Sequence, residues 1–217
     1  MNEPDVVVVA SGPGPAVLVP GAPTVVAADG GLDRAAALGL DVTVVVGDLD
    51  SATPEAIAAA EAAGARIVRY PQAKDATDLE LALDEAVRLG AGRVLVVASA
   101  EGRLDHLLAS LLLLASDRYA DVELDALVGG ALVHVVRGTR SLAGAPGELL
   151  TLLALGGPAA GVSTDGLAYP LRAETLDPGS SRGVSNVFAA PEATVTVDRG
   201  VLLVVRPEHA TGAGGPS

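Results

Sequence analysis

The 217-residue chain contains no cysteine and no tryptophan, and only one methionine, one phenylalanine and three tyrosines. Without thiols it has no disulfide framework, no thiolate metal site and no cysteine nucleophile. With few aromatics, a core has to be built from Ala, Val and Leu, and it can be, because 50% of the residues are hydrophobic. Positive charge is scarce too: the single lysine, Lys74, stands against thirteen arginines, and the formal net charge is −13. A nucleic-acid surface needs a basic patch, so that class is excluded. A nucleotide is not excluded, since a bound cation inverts the local field. Long apolar runs are missing as well: Pro and Gly interrupt residues 6–28, and the leucine-rich run near 107–115 is too short for a bilayer. The N-terminal Met1-Asn2-Glu3-Pro4-Asp5 lacks the basic segment of a signal peptide, and a soluble cytoplasmic protein is expected.

Several catalytic signatures are absent. There is no G-x-x-x-x-G-K-[ST] phosphate loop and no G-x-S-x-G elbow. Ser11-Gly12-Pro13-Gly14-Pro15 lacks the third glycine of a dinucleotide fingerprint, and the histidines at 106, 134 and 209 have no zinc-ligand spacing. No internal repeat is found.

What the chain does contain is a series of β-branched runs at 5–10, 24–28, 42–46, 65–69 and 93–98. Continuous rather than alternating apolarity predicts strands covered on both faces, as in parallel sheets. Helical stretches alternate with them. One is predicted over Asp33–Leu38, ending at Gly39, and another after an N-cap at Thr53 with Pro54 at N1, running to Gly64. A third opens at the Thr77/Glu80 capping box and spans 78–89; a fourth, strongly apolar and expected to be buried, runs from Asp105 to about Asp117. This alternation predicts a three-layer, mainly parallel α/β domain over residues 1–125. From 126 to 207 the runs at 132–136, 149–154, 161–165, 193–197 and 201–205 are separated by Gly/Pro-rich turns, which predicts a smaller antiparallel β domain, with a disordered tail over 208–217.

Ligands of open α/β sheets bind beyond the carboxyl ends of the strands. Four polar segments leave predicted strands there: Asp29-Gly30-Gly31, Asp48-Leu49-Asp50-Ser51, Lys74 to Asp78, and Arg103-Leu104-Asp105-His106. Parallel strands would bring Asp29, Asp48, Asp50, Asp78 and Asp105 to face each other across one crevice. Unpaired, these carboxylates repel, and a hard divalent cation with oxygen ligands resolves the repulsion. Asp48 and Asp50, spaced i, i+2 in extended backbone, share a side. Plainer readings stand beside each segment: a turn at Asp29-Gly30-Gly31, turn and cap roles for Asp48 and Asp50, capping by Thr77 and Glu80, helix-terminus charge for Asp75 and Asp78, a solvated loop charge at Lys74, a salt bridge between Arg103 and Asp105, and an ordinary helix residue at His106.

Taken together the segments resemble the thiamine pyrophosphokinase (thiamine diphosphokinase) family. Ala28-Asp29-Gly30-Gly31 resembles its A-D-G-G, Gly47-Asp48-Leu49-Asp50-Ser51 its G-D-x-D-S, Lys74-Asp75-Ala76-Thr77-Asp78 its D-x-T-D element, and Gly102-Arg103-Leu104-Asp105-His106 its G-R-x-D-H. Gly166-Leu167-Ala168-Tyr169-Pro170-Leu171 and Gly183-Val184-Ser185-Asn186 resemble its G-L-x-Y/W-x-L and G-x-S-N. The resemblance implies an α/β catalytic domain followed by a β-sandwich domain, a homodimer with thiamine between the α/β domain of one subunit and the β domain of the other, and transfer of diphosphate from ATP to thiamine with release of AMP. It implies that Asp48, Asp50, Asp78 and Asp105 face Mg²⁺ and phosphate, that Asp29, Gly30 and Gly31 lie by the nucleotide, that Arg103 contacts phosphate, and that Ser185 and Asn186 hold thiamine's pyrimidine. Ser51, Lys74, Asp75, Thr77 and His106, in the same motif segments, join the binding set. Asp50 or Asp78 is the expected proton acceptor. With no Trp, an aromatic wall for thiamine has to come from Tyr169, Phe188 or the partner subunit, and Ala98-Ser99-Ala100-Glu101 stands where the family has a Gly-rich stretch. A pterin-alcohol pyrophosphokinase on the same scaffold and a non-catalytic nucleotide- or thiamine-binding module are the alternatives.

Overall fold

Valine runs without a polar face are stable only where both faces of a sheet are covered, and the computed structural model, which describes residues 3–207, places them there. The tail expected over 208–217 lies outside the described residues. The chain forms two compact units, one of residues up to Ser110 with Asp121–Gly129, the other of Leu111–Ala120 with the residues from Gly130 on.

In the first unit β1 (Val6–Val9), β2 (Thr24–Ala28), β3 (Val44–Gly47), β4 (Arg66–Arg69), β5 (Arg93–Ala98) and β6 (Glu123–Val128) lie side by side in the order β6-β5-β1-β2-β3-β4, every pair parallel. Central β1 is buried at all of its positions, while β4 turns Arg66 and Arg69 outward at the edge, where charge discourages pairing with another chain. The predicted strands are found, with ends shifted by up to two residues.

Two of the helices begin at the expected caps, whereas the first starts two residues before the expected Asp33 and has no side-chain cap. α1 is Gly31–Ala37. α2 (Pro54–Ala62) begins after Thr53, whose Oγ1 accepts from the Ala56 N–H at 3.3 Å. α3 (Asp78–Arg88) begins after Thr77, whose Oγ1 accepts from the Glu80 N–H at 3.2 Å. α3 packs on β1, β2 and β3 through Leu79, Ala82, Leu83 and Ala86, all buried; each large apolar side chain so covered contributes roughly 1.5–3 kcal/mol.

α4 departs from expectation. It spans Leu104–Leu114, three residues short at its C-terminal end, and it is not buried: Leu104, Leu108 and Leu112 are 67%, 53% and 55% exposed, and Leu114 alone is covered. The leucines ring the helix, so no single contact can cover them all. Burial starts only where the chain turns through Ala115 and the 3₁₀ turn Asp117–Tyr119.

The second unit holds β7 (Ala131–Val136), β8 (Thr139–Ala143), β9 (Leu149–Ala154), β10 (Ala159–Asp165), β11 (Glu174–Leu176), β12 (Asn186–Val187), β13 (Glu192–Thr196) and β14 (Leu202–Arg206). Two antiparallel layers, β12-β9-β14-β7 and β11-β10-β13-β8, enclose one core that includes Val136, Leu142, Leu150, Val162, Phe188 and Val195. This is a β-sandwich, and β9 shows the period-two burial such a layer requires. β8, β11 and β12 were not anticipated. β8 carries one inward residue, Leu142, and owes its place to pairing with β13 rather than to its own pattern. Among the described residues no helix is long and apolar enough to cross a membrane.

Candidate active site

The site is set by how the chain leaves β2 and β3. Past Ala28 the backbone turns sharply: Asp29 has φ +49°, donates its N–H to the Val46 carbonyl at 2.8 Å, and is 6% exposed. β3 ends at Gly47, φ +144°, where a Cβ would lie 2.9 Å from Asp78 Oδ1 and 3.1 Å from Asp29 Cβ. Only glycine leaves room there for the two carboxylates to close in. Asp48 follows on β3, and Asp78 arrives on the first turn of α3. One oxygen each of Asp29, Asp48 and Asp78 lies within 4.8 Å of the others.

Among the described residues, Lys74 is the cation paired with this group. Its Nζ donates to Asp48 Oδ2 at 3.2 Å and lies 2.8 Å from Asp78 Oδ1, with 12% of the side chain exposed. That second contact has ion-pair distance but not hydrogen-bond alignment, so buried Oδ1 of Asp78 keeps a lone pair without a donor. The Lys74 hydrogen bond, against an opposing effect of burial, holds the Asp48 carboxyl below its ordinary value of 3.8. Burial pushes Lys74 down, but Asp78 and Asp48 outweigh it and hold the ammonium above 10.5. The depressed Asp48 gives a contribution complete above 3.8 and lost as pH falls through its folded value; the raised Lys74 gives one complete below 10.5 and lost as pH rises through its folded value. Between those limits the ion pair is intact.

Three carboxylates that share one ammonium leave an excess of negative charge in a partly covered pocket. That donor set, with an unused carboxylate lone pair, fits a hard divalent cation such as Mg²⁺.

The other expected residues fall outside this group. Asp50 is exposed and accepts from Ser51 Oγ at 3.1 Å and from Gln72 Nε2 at 2.9 Å. The i, i+2 rule assumes extended backbone, but Leu49 has φ +64°, and its side chain lies in the core cluster of Ala27, Leu32, Val45, Ala52 and Ala60. Gln72 belonged to none of the motifs. The Ser51 N–H donates to Asp29 Oδ1 at 3.3 Å. Thr77 is the α3 cap, and Asp75 is exposed. Gly31 lies under β1 with its Cα facing the Val9 carbonyl, and Gly30 approaches Ser11 and Ser51. Packing therefore dictates Gly31, whereas the contacts at Gly30, 3.1 Å and longer, are only tight.

Arg103 and Asp105 pair with each other in solvent, Nη2 to Oδ2 at 2.5 Å. They follow β5, which lies three strands from β3, roughly 14 Å across the sheet at about 4.8 Å per strand. His106 is exposed; its carbonyl accepts from Ser110 Oγ at 2.7 Å. The Arg103 hydrogen bond pulls the Asp105 carboxyl from 3.8 to about 2. The pair's contribution is complete above 3.8 and is lost as pH falls through about 2. Arg103→Ala is expected to return Asp105 toward 3.8, measured by NMR titration of the side-chain carboxyl; an unmoved midpoint would show that the pair does not persist in solution.

In the second unit the two remaining motifs meet. Asn186 is buried, and its amide clamps the backbone of residue 169, accepting from the Tyr169 N–H at 3.1 Å and donating to the Tyr169 carbonyl at 2.7 Å. The ring of Tyr169 is thereby held out at 60% exposure. Ser185, φ +57°, is exposed and its N–H donates to Thr151 Oγ1 at 3.1 Å.

Comparison with known proteins bears on both units. A family model described as thiamin pyrophosphokinase, catalytic domain, matches residues 16–124, and one described as thiamin pyrophosphokinase, vitamin B1 binding domain, matches residues 134–202. Among solved structures the chain is similar to thiamine pyrophosphokinase from Bacillus subtilis, with 22% identity over 94% of this chain and 99% of that one and a TM-score of 0.81. It is likewise similar to thiamin pyrophosphokinase from Geobacillus thermodenitrificans, with 24% identity, 94% and 98% coverage and a TM-score of 0.79. The thiamin pyrophosphokinase from Candida albicans is 15% identical over 92% of this chain and 88% of that one, with a TM-score of 0.72. A comparison with curated proteins finds no match.

Proposed function

The chain belongs to the thiamin pyrophosphokinase family and is an enzyme of that class, and from that premise we propose that it transfers the β,γ-diphosphoryl group of Mg-ATP to the hydroxyethyl oxygen of thiamine, releasing AMP. The observation that carries the reading is the convergence of Asp29, Asp48 and Asp78 at the carboxyl ends of β2 and β3, with Lys74 paired to Asp48 and Asp78. We assign Asp29, Asp48 and Asp78 to hold Mg²⁺. When bound, the ion neutralises polyphosphate charge and makes the β phosphorus easier to attack.

The chain's own residues position and neutralise, which is most of what phosphoryl-type transfer asks of a protein. Lys74 supplies a cation beside the transferred group, and Ser51, through its backbone, fixes Asp29. Asp50 lies outside the carboxylate group but on the same loop, and we assign it to accept the thiamine hydroxyl proton as oxygen bonds to the β phosphorus and the bridge to the α phosphate breaks. Arg103, exposed and paired only through Asp105, is assigned to incoming phosphate. Thiamine is assigned to the second unit at Ser185 and Asn186, with the displayed Tyr169 ring as its aromatic wall. A homodimer, in which thiamine on one copy meets ATP on the other, agrees with the exposed stripe of Leu104, Leu108 and Leu112.

The direct test incubates the protein with Mg-ATP and thiamine and follows AMP and thiamine diphosphate. Equimolar formation of both is expected. AMP formed with a pterin alcohol and not with thiamine would reassign the acceptor, and no AMP with any acceptor alcohol would overturn the enzymatic reading.

A further inference from the structure

Thirteen of the fourteen Lys and Arg side chains are arginine, and the one lysine stands among the carboxylates. The two cations behave differently there. An arginine fork grips a carboxylate through two parallel hydrogen bonds, whereas a lysine ammonium is a point charge on a flexible four-carbon stem. A lysine can therefore let go of one anion and turn to another with less to undo.

The contacts of Lys74 are with two of the three carboxylates assigned to Mg²⁺. The residue sits in the loop between β4 and α3, where its N–H donates to the Gln72 carbonyl at 3.1 Å. Nζ lies 3.2 Å from Asp48 Oδ2 and 2.8 Å from Asp78 Oδ1. The second Asp48 oxygen is engaged as well, since Oδ1 accepts from the Asp50 N–H at 3.4 Å. Asp78 Oδ1 is buried against Gly47 and reaches no hydrogen-bond donor among the described residues. One oxygen each of Asp29, Asp48 and Asp78 lies within 4.8 Å of the others, so a cation shared by the three carboxylates and the Lys74 ammonium compete for the same small space. Two positive charges held on shared oxygens in a partly covered pocket repel strongly.

We propose that Lys74 is a displaceable counter-ion of the metal site: its ammonium neutralises Asp48 and Asp78, yields their oxygens to the divalent cation, and then turns to the polyphosphate. The inference rests on the reading of Asp29, Asp48 and Asp78 as the holders of Mg²⁺ and adds what keeps them together before the ion binds. Without the ammonium the three carboxylates repel one another, and Asp78 passes that repulsion to the first turn of α3. With an arginine in its place the carboxylates would be gripped too firmly to be given up. Lysine meets both demands, and one charge serves twice, first for the protein's own anions and then for those of the substrate.

Isothermal titration calorimetry with Mn²⁺ and no nucleotide tests this on binding alone, Mn²⁺ being suited to the same oxygen ligands. The wild type is compared with Lys74→Met, Lys74→Arg and Asp48→Asn. Lys74→Met removes the competing charge and is expected to bind Mn²⁺ at least about tenfold more tightly than the wild type. Lys74→Arg keeps the charge and is expected to bind no more tightly than the wild type. Asp48→Asn loses a ligand and is expected to bind at least about tenfold more weakly. Thermal unfolding gives a second readout and reports that each variant folds. Without divalent cation Lys74→Met is expected to melt below the wild type, and saturating Mn²⁺ is expected to raise its midpoint by more than that of the wild type. Equal or weaker Mn²⁺ binding in Lys74→Met, or a gain in Lys74→Arg as large as in Lys74→Met, would overturn the role given to Lys74. If Asp48→Asn still weakened binding in that case, the metal assignment would stand without it. No saturable Mn²⁺ binding to any of the four proteins at millimolar concentration would overturn the assignment and the inference together.

Discussion

Asp48→Asn is expected to lower AMP release with Mg-ATP and thiamine by about 10³-fold, the scale on which removing one well-placed electrostatic group acts. The substitution keeps the shape of the side chain and removes one of three charges that converge within 4.8 Å. It also takes from Lys74 the partner at 3.2 Å, leaving the ammonium to Asp78 alone. The Asp48 side chain has 14% exposure and lies outside the apolar core, so the unfolding midpoint should stay near that of the wild type. Added Mg²⁺ should restore part of the rate if the charge serves mainly to hold the ion. Turnover within tenfold of the wild type would remove Asp48 from the metal site and, with it, the three-carboxylate assignment.

Gly31→Ala is expected to destabilise the first unit by about 3 kcal/mol, at the upper end of overpacking costs. The added methyl group would lie 2.0 Å from the Val9 carbonyl oxygen, 2.8 Å from Val9 C and 3.1 Å from Ala10 C. All three are backbone atoms of β1 and the residue after it, so no rotamer change relieves the clash, and α1 has to lift from the sheet. Lifting α1 disturbs Asp29 at its N-terminal end, so activity should fall together with stability. Urea and thermal unfolding followed by circular dichroism measure the loss, which corresponds to roughly 10 °C for a chain of this size. A wild-type midpoint would mean that α1 is not seated on β1 as described.

This second case shows how a short motif was open to two readings. In the sequence, Asp29-Gly30-Gly31 allowed a turn or a place beside a nucleotide. The structure gives Gly31 a steric cause and Asp29 an electrostatic one, and neither can be inferred from the three residues alone because Val9 and Asp78 lie far away in the chain. The caps behaved differently. Thr53 with Pro54, and Thr77 with Glu80, are local hydrogen-bond arrangements, and both helices begin where those signals put them.

The α4 helix marks the opposite limit. Its leucine content predicted a helix, correctly, and burial, incorrectly, because apolarity states what a surface prefers and not whether another element is there to cover it. Strands β8, β11 and β12 were illegible for a related reason: β11 and β12 are two or three residues long, β8 has a single buried residue, and each is held by a partner strand supplied from elsewhere in the chain.

By itself the sequence determined the alternation of buried strands and capped helices, the antiparallel second half, and the motif segments carried past the strand ends. Periodicity, caps and turn residues act over a few neighbours, so they are written locally. Tertiary structure alone decided which aspartates meet. Leu49, buried and left-handed, stands between Asp48 and Asp50, the strand that precedes Asp105 lies three places from β3, and glycine at 47 lets Asp78 close on Asp29. Each of those outcomes depends on atoms distant in sequence but near in space.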